Sequence, residues 1–151
     1  MPAFENRKGT YALVFACNQV RPVLVGKLGT MALQTGYYIY IGSAFGPGGI
    51  RARMHHHLKV QTTVHWHVDY LKPHCSLREV WVDYSPRKTE SHWAGKLVKC
   101  NKVTIPMTGF GASDAASVSH LFYSRTRPEP TLLPSDRLRI YRLGLKGNSV
   151  E

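Results

Sequence analysis

The chain reads as an α+β domain. Three features predict this: short runs rich in aromatic and β-branched residues, two segments with helical periodicity, and Gly/Pro clusters that punctuate both. At 151 residues the chain fits one domain, 1–151, and is long enough to bury its own core. Its hydrophobic content of 43% is that of a globular protein, not a disordered one.

Residues 10–17, TYALVFAC, form a strand bounded by Gly9 and the turn-like NQVRP. VLVGKL and TMALQ alternate weakly about Gly29 and read as a hairpin. YYIYIG, 37–42, is the strongest strand signal in the chain. SAFGPGG is a loop. GIRARMHHHLK is a short helix, on which Ile50, Met54 and Leu58 form the buried stripe at about 100° per residue. HWHVDYL reads as a second helix and LREVWVDY as a strand. TESHWAGKLVK reads as a helix with Trp93, Ala94 and Leu97 on one face. PMTGFGASD is a loop with a helix start at Ser113 or Asp114. HLFYS and LRIYRL are late strands, joined by the proline-rich RTRPEPTLLPS, and GLKGNSVE is a frayed end. The strands can pair as antiparallel hairpins with helices packed on them.

Charge narrows the partners. Twenty Lys+Arg against nine Asp+Glu give a net charge of +11, spread along the whole chain. Such a field suits phosphate polyanions. Cys17, Cys75 and Cys100 are far apart and form no CxxC pair, which argues against a disulfide framework or a thiolate zinc site. No apolar run is long enough to span a membrane and MPAFENRKGT has no apolar signal region, so a cytoplasmic location and no membrane partner are expected.

Chemistry concentrates around residues 36–58. On the YYIYIG strand, Tyr38 and Tyr40 share one face and Tyr37 and Ile39 the other. On the following helix Arg53 lies beside His57, and Arg51 beside His55, each pair spaced i, i+4. A guanidinium clamps phosphate oxygens and a neighbouring imidazole moves or orients a proton. Helical geometry alone leaves open which pair matters. Consecutive histidines 55–57 diverge on a helix and no Cys or carboxylate stands at zinc-ligand spacing, so no structural zinc site is expected. His65 and His67, with Asp69 and Tyr70, can line a polar pocket. Glu90 projects from the apolar face of its helix one turn before Trp93, and a carboxylate there needs a partner, a cation or a metal. GFGASD offers an anion-binding helix start or a plain cap at Ser113 or Asp114.

Gly9-Thr10-Tyr11 and Tyr40-Ile41-Gly42 resemble the paired motifs of the GIY-YIG nuclease superfamily. Arg53, His57 and Leu58 are similar to that family's Arg-x-x-x-His helix, and Glu90 is placed like its metal-binding glutamate. GYYIYIGSAFGPGGIRARMHHHL, HWHVDYL, TESHWAGKL, GFGASD and SHLFY together resemble the Uri-type branch of small bacterial and archaeal nuclease-like domains, over residues 9–124. The resemblance implies a small central antiparallel sheet flanked by helices, with the site on one sheet face, and favours Arg53 and His57 over Arg51 and His55. Two features depart from the pattern. Thr10 replaces the usual isoleucine, and the long connection from Tyr11 to Tyr40 fits an extra hairpin at 23–34. The family's late asparagine has no clear match, and GFGASD is the segment available for its role.

The function this implies is a metal-dependent DNA endonuclease. Glu90 would hold Mg²⁺ (or Mn²⁺) with water, Tyr11 or Tyr40 would take the proton of the attacking water, Arg53 would stabilise charge on the phosphate, and His57 would relay a proton. Cation charge is expected to lower the phenol pKa. Gly42, Ser43, Arg51, His65, His67, Ser113 and Asp114 are the candidate substrate-binding residues. Tyr37, Tyr38, Phe45, Trp66 and Tyr70, interleaved with Arg51, Lys59 and Lys72, predict a preference for single-stranded DNA or DNA with unpaired segments. The alternative is a nucleic-acid-binding module that does not cut. A monomer and a two-fold dimer both fit the sequence.

Overall fold

The computed structural model describes residues 3–60, 63–112 and 117–144. In chain order its elements are β1 (Gly9–Cys17), β2 (Arg21–Val25), β3 (Gly29–Leu33), β4 (Gly36–Ala44), α1 (Gly49–Leu58), β5 (Ser76–Asp83), α2 (Glu90–Val98), β6 (Leu121–Ser124) and β7 (Arg139–Arg142). Five strands form one sheet in the order β6-β4-β1-β5-β7, every neighbouring pair antiparallel. The hairpin β2–β3 forms a separate two-stranded sheet, as the 23–34 insertion predicts.

β1 takes the middle because almost every residue of GTYALVFAC is buried and neither face tolerates water. The period-2 alternation sorts the two cores. Tyr11, Leu13, Phe15, Tyr38 and Tyr40 point to one face, where Ile50 and Met54 of α1 and Val23, Val25, Met31 and Leu33 of the hairpin cover them. Ala12, Val14, Ile39, Ile41 and Trp81 point to the other, under Trp93, Ala94 and Leu97 of α2. Burial of Trp93 and Leu97 contributes about 1.5–3 kcal/mol each, which fixes α2 and with it Glu90.

Two expectations need correction. HWHVDYL forms only a 3₁₀ turn, His67–Tyr70. The Asp69 carboxylate accepts the N–H groups of His65 and Trp66 at 2.8 and 2.9 Å, which closes a tight turn with Trp66 extended and leaves no run for an α-helix. On α1 the inward stripe is Ile50, Met54 and His57, with Leu58 only half-buried. β7 pairs with β5, so the sheet extends to Arg142, beyond the core the resemblance covers. The expected helix start at Ser113 or Asp114 and most of the GLKGNSVE tail lie outside the described residues. Among the described residues, no helix is long and apolar enough to cross a membrane.

Candidate active site

Tyr11 sits near the start of β1, directly opposite Gly42 on β4. A Cβ on Gly42 would lie 2.5 Å from the Tyr11 ring carbon Cζ and 2.5 Å from its hydroxyl oxygen. Glycine therefore stands at this position of β4 because the Tyr11 ring lies across the backbone there. The phenol reaches α1, with Tyr11 Oη 2.9 Å from His57 Nε2. One turn earlier, Arg53 Nη1 donates to the Ser43 carbonyl at 2.8 Å, and its guanidinium stacks 4.6 Å from the centre of the Trp66 ring. Arg53 and His57 thus face the tyrosines. Arg51 instead donates to the Phe4 carbonyl at 3.3 Å, and His55 is exposed.

Glu90 opens α2. The Thr89 hydroxyl donates to the Thr10 hydroxyl at 3.1 Å, tying the residue before Glu90 to the residue before Tyr11. Thr10 thereby links β1 to the start of α2. The Glu90 carboxylate meets His120, with Oε2 2.6 Å from Nδ1. His120 is buried and precedes β6. A Cβ on Gly111, whose φ is +69°, would come within 2.8 Å of the Tyr40 ring and 3.3 Å of His120 Cβ. The Gly111 N–H donates to His67 Nδ1 at 2.8 Å. Tyr40, His67, Gly111, His120 and Glu90 therefore form one continuous group beside Tyr11, Arg53 and His57.

Residues 10–141 match the family described as "Domain of unknown function DUF123". The chain belongs to that family. No curated protein and no solved structure matches it. In this DUF123 domain the matched span runs from Thr10 in β1 to Tyr141 in β7 and takes in every residue of the group above.

Burial dominates the electrostatics. It pushes Tyr11 up to about 12, with Glu90 and Asp69 adding to the rise and Arg53 opposing it by charge and hydrogen bond. Tyr40 is raised well above 10, again by burial, with Tyr11 and Glu90 adding and Arg53 opposing. Arg53 acts in the expected direction, but desolvation outweighs one guanidinium.

Burial also pushes His57 down to about 3, helped by His56, Lys72 and Arg53 and opposed by Asp69. The imidazole is neutral near pH 7, so Tyr11 donates and Nε2 accepts. The unfolded chain takes up this proton near pH 6.5 and the folded chain only near 3. Stability from this group is thus complete above about pH 6.5 and falls by about 1.4 kcal/mol per pH unit as pH drops toward 3. Burial lowers His56, His67 and His74 too, with the same sign. Urea unfolding between about pH 6.5 and 5 is expected to show a slope smaller by about one proton in His57→Gln than in the wild type. An unchanged slope would contradict a buried neutral His57.

The other candidates divide. Ser43 contributes its carbonyl and Gly42 its bare backbone. The His65 ring is exposed and packs on Trp66, whereas His67 joins the Tyr40 group. Arg51 faces the N-terminal segment, and Ser113 and Asp114 lie outside the described residues. Tyr38 is core, its hydroxyl accepting the Gln34 N–H at 2.8 Å, and cannot stack on a base. His56 and His57 do not diverge fully: with Asp69 they offer one donor atom each within 4.8 Å of one another. Asp69 Oδ2 already accepts from two backbone N–H groups and lies 3.3 Å from His56 Nε2, while Lys72 Nζ stands 4.0 Å from Oδ1. That carboxylate builds the turn under Trp66. Sequence reasoning missed His120, for which SHLFY gave a strand signal and nothing more.

Proposed function

We propose that this DUF123 domain is a divalent-metal-dependent phosphodiesterase that cuts DNA, as its resemblance to GIY-YIG nucleases implies. The observation that carries the reading is the convergence of Tyr11, Arg53 and His57 with Tyr40, Glu90 and His120 around two glycines that make room for the phenols. Donor chemistry supports a cation at Glu90, a half-buried carboxylate facing an imidazole with no hydrogen-bonded nitrogen. A bound Mg²⁺ or Mn²⁺ would polarise the scissile phosphate and neutralise the Glu90 charge that raises both phenols.

The chain's own groups do the rest. Arg53, held by the Ser43 carbonyl and the Trp66 face, binds phosphate oxygens and favours the Tyr11 phenolate. Tyr11, hydrogen-bonded to His57 Nε2, would take the proton of the attacking water as a phenolate whose own proton has gone to solvent, or Tyr40 would do so in its place. A cleft of about 470 Å³ carrying Arg87, His92 and Arg137 begins at Thr89, next to Glu90, and offers a path for the flanking strand. The raised phenols favour a second reading, a module that binds nucleic acid without cutting.

Unpaired DNA is the favoured form, because Phe45 presents a half-buried ring with Lys88 5.6 Å from its centre, and the rings of Tyr37 and Tyr70 are also only half-buried. One sequence should be cut faster as a single strand or flap than as a perfect duplex. Binding should weaken by roughly two orders of magnitude between about 50 and 200 mM salt. Faster cutting of the duplex would defeat the stacking argument, and a flat salt titration would defeat the phosphate surface.

A further inference from the structure

We propose that His120 is a second protein ligand of the cation at Glu90, forming a mixed carboxylate–imidazole site that binds Mn²⁺ more tightly than Mg²⁺. The proposal rests on the metal reading above and goes beyond the single carboxylate that the resemblance implies.

His120 is fixed from both sides of its backbone. Its N–H donates to the Phe110 carbonyl at 2.8 Å, and its own carbonyl accepts the Ile41 N–H at 2.9 Å. The ring is buried, with the residue only 3% exposed. Among the described residues Nε2 has no hydrogen-bond partner, and Nδ1 meets only Glu90 Oε2, at 2.6 Å without hydrogen-bond alignment. A buried ring nitrogen left without a partner costs free energy. A carboxylate oxygen and a ring nitrogen from two separate elements, brought this close without hydrogen-bond alignment, form a donor pair suited to one cation. Coordination through Nδ1 would satisfy the nitrogen that faces Glu90. Imidazole suits first-row transition cations better than Mg²⁺, which prefers oxygen donors and water. The rival cluster of His56, His57 and Asp69 is poorer, because Oδ2 of its carboxylate is engaged by two backbone N–H groups and Oδ1, though not hydrogen-bonded, faces the Lys72 ammonium at 4.0 Å.

The test uses metal-stripped full-length protein and Mn²⁺ alone. Titration followed by the EPR signal of free Mn²⁺ gives the Kd, and pulsed EPR of bound Mn²⁺ reads ¹⁴N coupling from a directly coordinated imidazole. The wild type is expected to show that coupling and to need roughly tenfold more Mg²⁺ than Mn²⁺ for half-occupancy. In His120→Asn the coupling should vanish and the Kd rise at least about tenfold. Glu90→Gln should lose both binding and coupling, while His56→Gln keeps both. If His120→Asn does not fold, wild-type coupling that is lost in Glu90→Gln and kept in His56→Gln carries the assignment. Mn²⁺ bound through Glu90 without nitrogen coupling would overturn the ligand role of His120 and leave the metal reading standing. Coupling that survives Glu90→Gln and disappears in His56→Gln would place the ion in the rival cluster. An absence of Mn²⁺ binding at millimolar concentration would defeat both readings.

Discussion

Glu90→Gln is expected to lower the cleavage rate by at least about 10²–10³-fold while DNA affinity stays within a few-fold. Glutamine keeps the size of the side chain and the start of α2, which Trp93, Ala94 and Leu97 hold on the sheet. It removes the charge that would hold a cation, and it also removes the charge that pushes Tyr11 and Tyr40 up. Those consequences pull in opposite directions. If Glu90 only tuned the phenols, glutamine would ease their ionisation and speed cleavage. A fall in rate at unchanged affinity therefore identifies the metal role, and a rate equal to or above that of the wild type in Mg²⁺ would contradict it. Single-turnover kinetics beside an equilibrium binding curve make the measurement.

Arg53 carries the second large effect. Arg53→Ala is expected to cost about 10²-fold in kcat/KM, and Arg51→Ala less than about threefold. The two residues stand on one helix two positions apart, yet their surroundings differ. Arg53 is pinned by the Ser43 carbonyl and the Trp66 ring beside the phenols, whereas Arg51 reaches the Phe4 carbonyl on the other flank. Arg53→Lys keeps the charge and loses the planar fork, so it should recover binding more than rate. The reverse order of the two alanine variants would mean that the other flank of α1 faces the substrate.

The strands were legible because aromatic and β-branched runs are separated by Gly and Pro, and each expected strand is found with its ends within three residues. Sheet order was not legible from these local signals, since β1 comes first in the chain and lies third in the sheet. The i, i+4 spacing left two pairs open on α1, and only packing shows that His57 meets Tyr11. Glu90 was flagged as a carboxylate in need of a partner. That partner, His120, stands thirty positions away and no local pattern connects them. The weight of burial on the phenols was hidden for a related reason. Alternation shows that Tyr38 and Tyr40 share a face, but not that α1 and the hairpin close over it, and that depth decides whether burial or Arg53 prevails. HWHVDYL misled because Asp69 bonds the backbone locally, which helical periodicity does not register.

The most direct measurement is single-turnover incubation of an end-labelled single-stranded oligonucleotide with excess metal-stripped protein, in Mg²⁺, in Mn²⁺ and in EDTA. Hydrolysis in both cations, none in EDTA, and at least about a 10²-fold loss in Glu90→Gln are expected. Tight, salt-sensitive binding with no product in any cation would contradict the catalytic reading and leave a domain that holds DNA without cutting it.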